Sequence, residues 1–203
     1  MQRISDEQRE RRNKIIISAI VAAVMVFSTF GIVMDYAGGG SQSEKVKSDL
    51  GTLTFKVTGN VVVAQVKGQT VQFGYFPSHL SSINVSAGVK EALHQPAFYM
   101  TSDPQDPYNQ SIDEMVFRYS EIMPVLTDSY PIAAFTSAAG FNRPVVDCLN
   151  ATASMPVLYL KYGNDTGVTM QDNCITAEAR TPQEVLAVAD KMLFVAMGVQ
   201  NGN

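Results

Sequence analysis

TLTFKVTGNVVVAQVKGQTVQFGYF, residues 52–76, decides the fold of the chain's folded part. Leu53, Phe55 and Val57 alternate with Thr52, Thr54 and Lys56. That two-residue period sets one face of a strand on a core and the other in water. Gly59-Asn60 is a tight turn, Val61 to Val66 a second strand, Lys67-Gly68-Gln69 a second turn, and Thr70 to Phe76 a third strand that Pro77 ends. Three strands joined by short glycine turns predict an antiparallel meander. Phe73 and Tyr75 share one face of the third strand and Phe76 takes the other, a placement that reads as core.

Further along, Ser86 to Gln95 predicts a short helix stopped before Pro96, and Ala97 to Thr101 an apolar strand. Ser111-Ile112-Asp113-Glu114 has the form of a capping box. Ile112, Met115, Val116, Tyr119, Ile122 and Met123 then recur at helical spacing up to Pro124, the expected stop. Ile132 to Thr136, Pro144 to Cys148, Val157 to Tyr162 and Cys174 to Ala179 read as strands, and Ser137 to Asn142 as a loop. Thr181-Pro182-Gln183-Glu184 opens a final helix: a cap, a proline preset for the first turn, and a glutamate three residues on from the cap. Its apolar stripe (Val185, Val188, Ala189, Met192, Leu193, Ala196, Val199) is wide enough to predict a largely buried helix ending near Gly198. Hairpins mixed with crossover helices give an α+β (mixed α/β) domain with a meander, a mixed sheet and three packed helices over residues 51–203.

Ahead of this domain, Ile15 to Met34 is a run of twenty residues without charge or proline. As a helix it spans about 30 Å, the thickness of a bilayer's hydrocarbon core. Arg3, Arg9, Arg11, Arg12 and Lys14 precede it, whereas only Lys45 and Lys47 follow closely. The positive-inside rule then makes residues 1–14 a cytoplasmic stub, 15–34 a single-pass signal-anchor in the lipid bilayer, 35–50 a flexible tether through Gly38-Gly39-Gly40, and the domain extracytoplasmic. Tyr36-Ala37-Gly38-Gly39 leaves cleavage of the anchor as the alternative. The first fourteen residues carry +2, which leaves −6 on the rest of a chain of net charge −4. An acidic outer domain lacks the basic face that nucleic acid requires.

Cys148 and Cys174 are the only cysteines, and outside a cell such a pair reads as a disulfide. Asn84, Asn109, Asn150 and Asn164 each begin an N-x-S/T sequon, so all four are glycosylation candidates. Asp103, Asp106, Asn109 and Asp113 bring oxygen ligands into one region and are the calcium candidates, although their spacing is not that of an EF-hand loop. His79 beside Ser78, and His94, are the residues from which a hydrolase triad would be built; no G-x-S-x-G or H-E-x-x-H frames them. No cofactor motif is present. These features favour a non-enzymatic cell-surface or envelope protein whose outer domain contacts a partner protein, a membrane-complex subunit or its own copies. A membrane-anchored extracytoplasmic hydrolase and a small-ligand or calcium-binding module are the alternatives.

Overall fold

The computed structural model describes residues 42–138 and 142–199. The expected stub 1–14, the span 15–34 and the first part of the tether lie outside them. Among the described residues no helix is long and apolar enough to cross a membrane. From Ser43 onward the chain is α+β, with a meander sheet, a mixed sheet and three α-helices.

The meander has four strands, β1 (Ser43–Ser48), β2 (Gly51–Thr58), β3 (Val61–Val66) and β4 (Gln69–Phe73), in that spatial order and antiparallel throughout. β1 corrects the expectation of a tether reaching residue 50. Its one buried apolar residue, Val46, pairs with Leu53 and extends the inner face of the sheet. That face is Val46, Leu53, Phe55, Val62, Ala64, Val66, Val71 and Phe73. β4 stops at Phe73 rather than Phe76, because the next two backbone N–H groups bond to a side chain from another element.

The second sheet contains β5 (Ala97–Ser102), β6 (Tyr130–Phe135), β7 (Val157–Tyr162), β8 (Gly167–Gln171) and β9 (Cys174–Ala179), in the order β6-β5-β7-β9-β8. All are mutually parallel except β8, which forms a hairpin with β9. β8 was not expected. Pro144 to Cys148 is not a strand: Val145 makes one bridge to Phe135, and Cys148–Asn150 form a 3-10 turn.

Three helices complete the domain: α1 (Val89–Leu93), α2 (Asn109–Thr127) and α3 (Pro182–Ala196). α2 differs from expectation at both ends. It begins at Asn109 with no side-chain cap, so Ser111 and Glu114 lie inside it and form no capping box. It runs through Pro124 to a left-handed Asp128, held by Met123 and Leu126 on its buried face. α3 starts as expected, with the Thr181 hydroxyl accepting the Glu184 N–H at 3.2 Å. The Glu184 carboxylate takes the Arg180 N–H instead of that of Thr181. At the other end Gly198 has φ +64°, its N–H bonds to Val195 O, and the Val199 N–H bonds to Phe194 O. This pair of bonds satisfies two carbonyls that a helix end otherwise leaves open.

α3 connects the two sheets. Phe194 packs on Phe55 and Phe73 of the meander, with ring centroids 5.4 and 5.0 Å away, while the same helix lies against β9 and β8. Truncating any of these three buried rings to alanine costs about 3–5 kcal/mol. The opposite face of the mixed sheet is covered by the segment that the Cys148–Cys174 disulfide ties down (S–S 2.01 Å), as the cysteines predicted. There Val146, Ala134, Val157 and Cys174 form a small second core, and Thr101 Oγ1 donates to Val146 O at 2.6 Å.

Candidate functional site

The residues that α2 turns toward the meander line a concavity. Glu114, Phe117, Arg118, Glu121, Ile122 and Val125 recur at three- and four-residue spacing, so they form one stripe along the helix. Gln69, Thr70, Val71 and Gln72 of β4 form the facing wall. The groove between them holds about 450 Å³. Phe117 stands in it 65% exposed, which is unusual for an aromatic of this size on a helix that otherwise buries its apolar residues. A second depression of about 250 Å³, between α2 and the first turns of α3, shares Glu114 and Arg118 with the groove and extends it toward Pro182 and Leu186.

Where the two depressions meet, Arg118 Nη1 lies 2.7 Å from Asp190 Oδ1, and the aspartate side chain is fully buried. Its other oxygen accepts the Gly74 N–H at 2.7 Å and the Tyr75 N–H at 3.0 Å. Arg118 Nη2 donates to Gln72 O, and the guanidinium carbon sits 5.9 Å from the Phe73 ring centroid. Burial pushes the Asp190 carboxyl above the usual carboxylate range, while Arg118 and the two backbone donors pull it back. Next to the pair, the Tyr119 hydroxyl donates to Ala189 O at 2.8 Å, and burial raises its pKa well above the ordinary phenol value. Sequence reasoning missed this cluster. Its signal was a charge inside each apolar stripe: Asp190 between Ala189 and Met192, and Arg118 between Met115 and Tyr119. A charge on a buried helix face requires a partner.

The residues singled out from sequence lie elsewhere. The Ser78 hydroxyl donates to Glu44 Oε2 at 2.7 Å, and His79 stands exposed with its ring edge-on to Phe76. His94 is exposed at the end of α1, with Nδ1 2.7 Å from Lys90 O. No hydrogen bond joins either ring to a serine or a carboxylate among the described residues.

The calcium candidates serve local structure. Asp103 Oδ1 accepts the Gln105 N–H, Asp106 Oδ1 the Tyr108 N–H, and Asp113 binds Arg143 at 3.0 Å. Asn109 Nδ2 donates to Pro104 O. Among the described residues no three His, Cys, Asp or Glu side chains gather closely enough to hold a metal ion.

Of the sequon asparagines, Asn84 and Asn164 are exposed in loops. Asn109 is half-buried at the start of α2, and the Asn150 side chain accepts the Asp147 N–H. In open parallel sheets ligands favour the carboxyl ends of strands where the strand order reverses, here β5 and β7. That position is bridged by the protein itself. Asp106 Oδ2 accepts the Tyr162 N–H at 2.8 Å, Tyr108 packs edge-on to Tyr162, and the Tyr108 hydroxyl donates to Arg180 O. The chain matches no protein-family model, no curated protein and no solved structure.

Proposed function

We propose that this chain is a single-pass surface protein, anchored by residues 15–34 with its amino terminus in the cytoplasm, and that its outer domain serves as a non-enzymatic protein-binding module. The binding face is the groove between β4 and α2. The apolar run, with five Lys or Arg residues before it and only Lys45 and Lys47 closely after it, supports the topology. The Cys148–Cys174 bond agrees with an oxidising compartment. Asn84 and Asn164 are the sequons best placed to carry glycan, since both are exposed in loops.

The observation that carries the binding reading is the exposed Phe117 beside an open sheet edge. Aromatic side chains standing in a concavity are the usual anchors of protein interfaces. Extraction in a mild detergent at native expression, followed by mass determination, tests it. A complex larger than one chain plus its detergent is expected, with Phe117→Asp returning the protein to a monomer. A wild-type monomer overturns the reading.

A further inference from the structure

We infer that the groove takes an extended, lysine- or arginine-bearing segment of a partner protein, which adds as a fifth strand to the free edge of β4. The inference rests on the binding reading above and names the class of partner. It comes from comparing the four sheet edges of the domain.

An unpaired strand edge invites another chain, and proteins blunt edges with charge, proline or covering segments. The β1 edge carries Glu44, Lys45 and Lys47. β6 has Pro131 within it and is bridged by Val145, with the Val146 N–H on Phe135 O. β8 is bridged by Val85, and Val168 exchanges backbone bonds with Asn84 and Ser86. Among the described residues no segment bridges β4. Its sequence, Gln69-Thr70-Val71-Gln72-Phe73, is uncharged and free of proline.

The register shows which groups face outward. Two residues, Lys67 and Gly68, close the β3–β4 hairpin, so the Val66–Gln69 pair is the hydrogen-bonded one next to the turn. In an antiparallel ladder such pairs alternate, which turns the N–H and C=O of Thr70 and Gln72 away from β3. Arg118 satisfies Gln72 O, and Asp190 satisfies the next outward donor, Gly74 N–H. The ion pair therefore caps one end of the edge as a strand would. The Thr70 N–H, the Thr70 C=O and the Gln72 N–H remain directed into the groove, and an added strand can pair with all three.

The opposite wall specifies what kind of strand fits. Glu114 and Glu121 are exposed two helical turns apart and make no ion pair among the described residues. The charge of the one cation between them, Arg118, is matched by buried Asp190. Phe117, Ile122 and Val125 lie beside the two carboxylates. A strand alternating basic and apolar side chains presents the complement of this wall. A second copy does not, because pairing two β4 edges brings two acidic walls and two domains of negative charge together.

The test uses the full chain in detergent and three ten-residue capped probes: alternating Lys-Val, the same peptide N-methylated at every residue so that neither edge can pair, and alternating Glu-Val. The Lys-Val peptide is expected to slow amide hydrogen exchange at residues 70–72 at least tenfold, with the other two having no effect. Glu114→Lys with Glu121→Lys, both at exposed positions, should reverse the preference to Glu-Val. Thermal unfolding of that variant verifies its fold. Binding without protection at 70–72, equal binding of the N-methylated peptide, unchanged preference in the charge-reversed variant, or protection already present through self-association each overturns strand addition. If Phe117→Asp still dissolves the native complex while 70–72 stays unprotected, the groove reading stands and only strand addition fails.

Discussion

Arg118 of α2 and Asp190 of α3 meet at 2.7 Å beside the last residues of β4, and through Gln72 O, Gly74 N–H and Tyr75 N–H they join both helices to the meander. Among the described residues Arg118 is the cation paired with this buried aspartate. Removing Arg118 leaves a buried carboxylate uncompensated and Gln72 O without its donor; removing Asp190 leaves the guanidinium uncompensated and the Gly74 and Tyr75 N–H groups without their acceptor. Arg118→Met or Asp190→Leu alone should lower unfolding free energy by about 3–5 kcal/mol, whereas the double variant should lose clearly less than the sum. Urea denaturation of all four proteins gives the coupling. Additive losses contradict the assignment.

Gly74 sits so close to α3 that a β-carbon there would come within 2.7 Å of Leu186 Cδ2 and 3.4 Å of the Asp190 carboxylate. At the far end of the helix, Gly198 is left-handed, and a β-carbon there would run into the Asp49 carboxylate. Swinging that carboxylate aside would break its bond to Lys90, and the left-handed φ strains any β-carbon there regardless of space. Gly198→Ala should cost about 1–2 kcal/mol, a fall in Tm of roughly 3–6 °C for a domain of this size. A calorimetric scan checks it, and an unchanged Tm contradicts the helix-end geometry.

The disulfide closes a 26-residue separation and pins the described segment that packs Val146 on one face of the mixed sheet. In the chain-entropy account, replacing Cys148 and Cys174 with alanine removes about 3.5 kcal/mol. Reduction of the native protein should produce the same loss. If reduced and oxidised proteins unfold at the same denaturant concentration, the bond has no such role.

Glu184 is held at about 2, below its ordinary 4.5, first by the hydrogen bond from Arg180, then by the Thr166 hydroxyl, with burial opposing them. A depressed carboxyl stabilises the fold above its unfolded pKa, and that contribution is lost as pH falls through the folded value. Stability should therefore decline from about pH 5 toward pH 2. Glu184→Gln should remove about 1 kcal/mol of that decline, the carboxylate being partly open to solvent. Denaturation midpoints across this pH range test it, and parallel curves for the two proteins contradict it.

Strong periodicity made β2, β3, β5, β7, β9 and α3 legible from sequence, because each carries several apolar residues on one face. β1 was illegible for the converse reason. Ser-Glu-Lys-Val-Lys-Ser has one apolar residue, and the lysines that suit a sheet edge resemble those of a linker. β8 hid behind the similarly weak pattern Gly-Val-Thr-Met-Gln. In α2 a serine and a glutamate at capping spacing fell within the helix, and Pro124 did not end it because Met123 and Leu126 remain buried around it. The strand expected at Pro144 to Cys148 gave way to a turn whose own signal was present: Asp147 and Asn150 form a capping box. The groove was least legible. It depends on two elements distant in sequence, and on which backbone groups of β4 point outward once β3 is in register.

The most direct measurement places a photo-crosslinking phenylalanine analogue at position 117 in intact cells, with the same analogue at exposed Leu149 as the control. The account predicts a discrete adduct from position 117, absent from position 149, on a chain whose outer domain can be shaved from whole cells by added protease. No adduct at 117, the same adducts from both positions, or a domain that protease cannot reach until the cells are broken would contradict it.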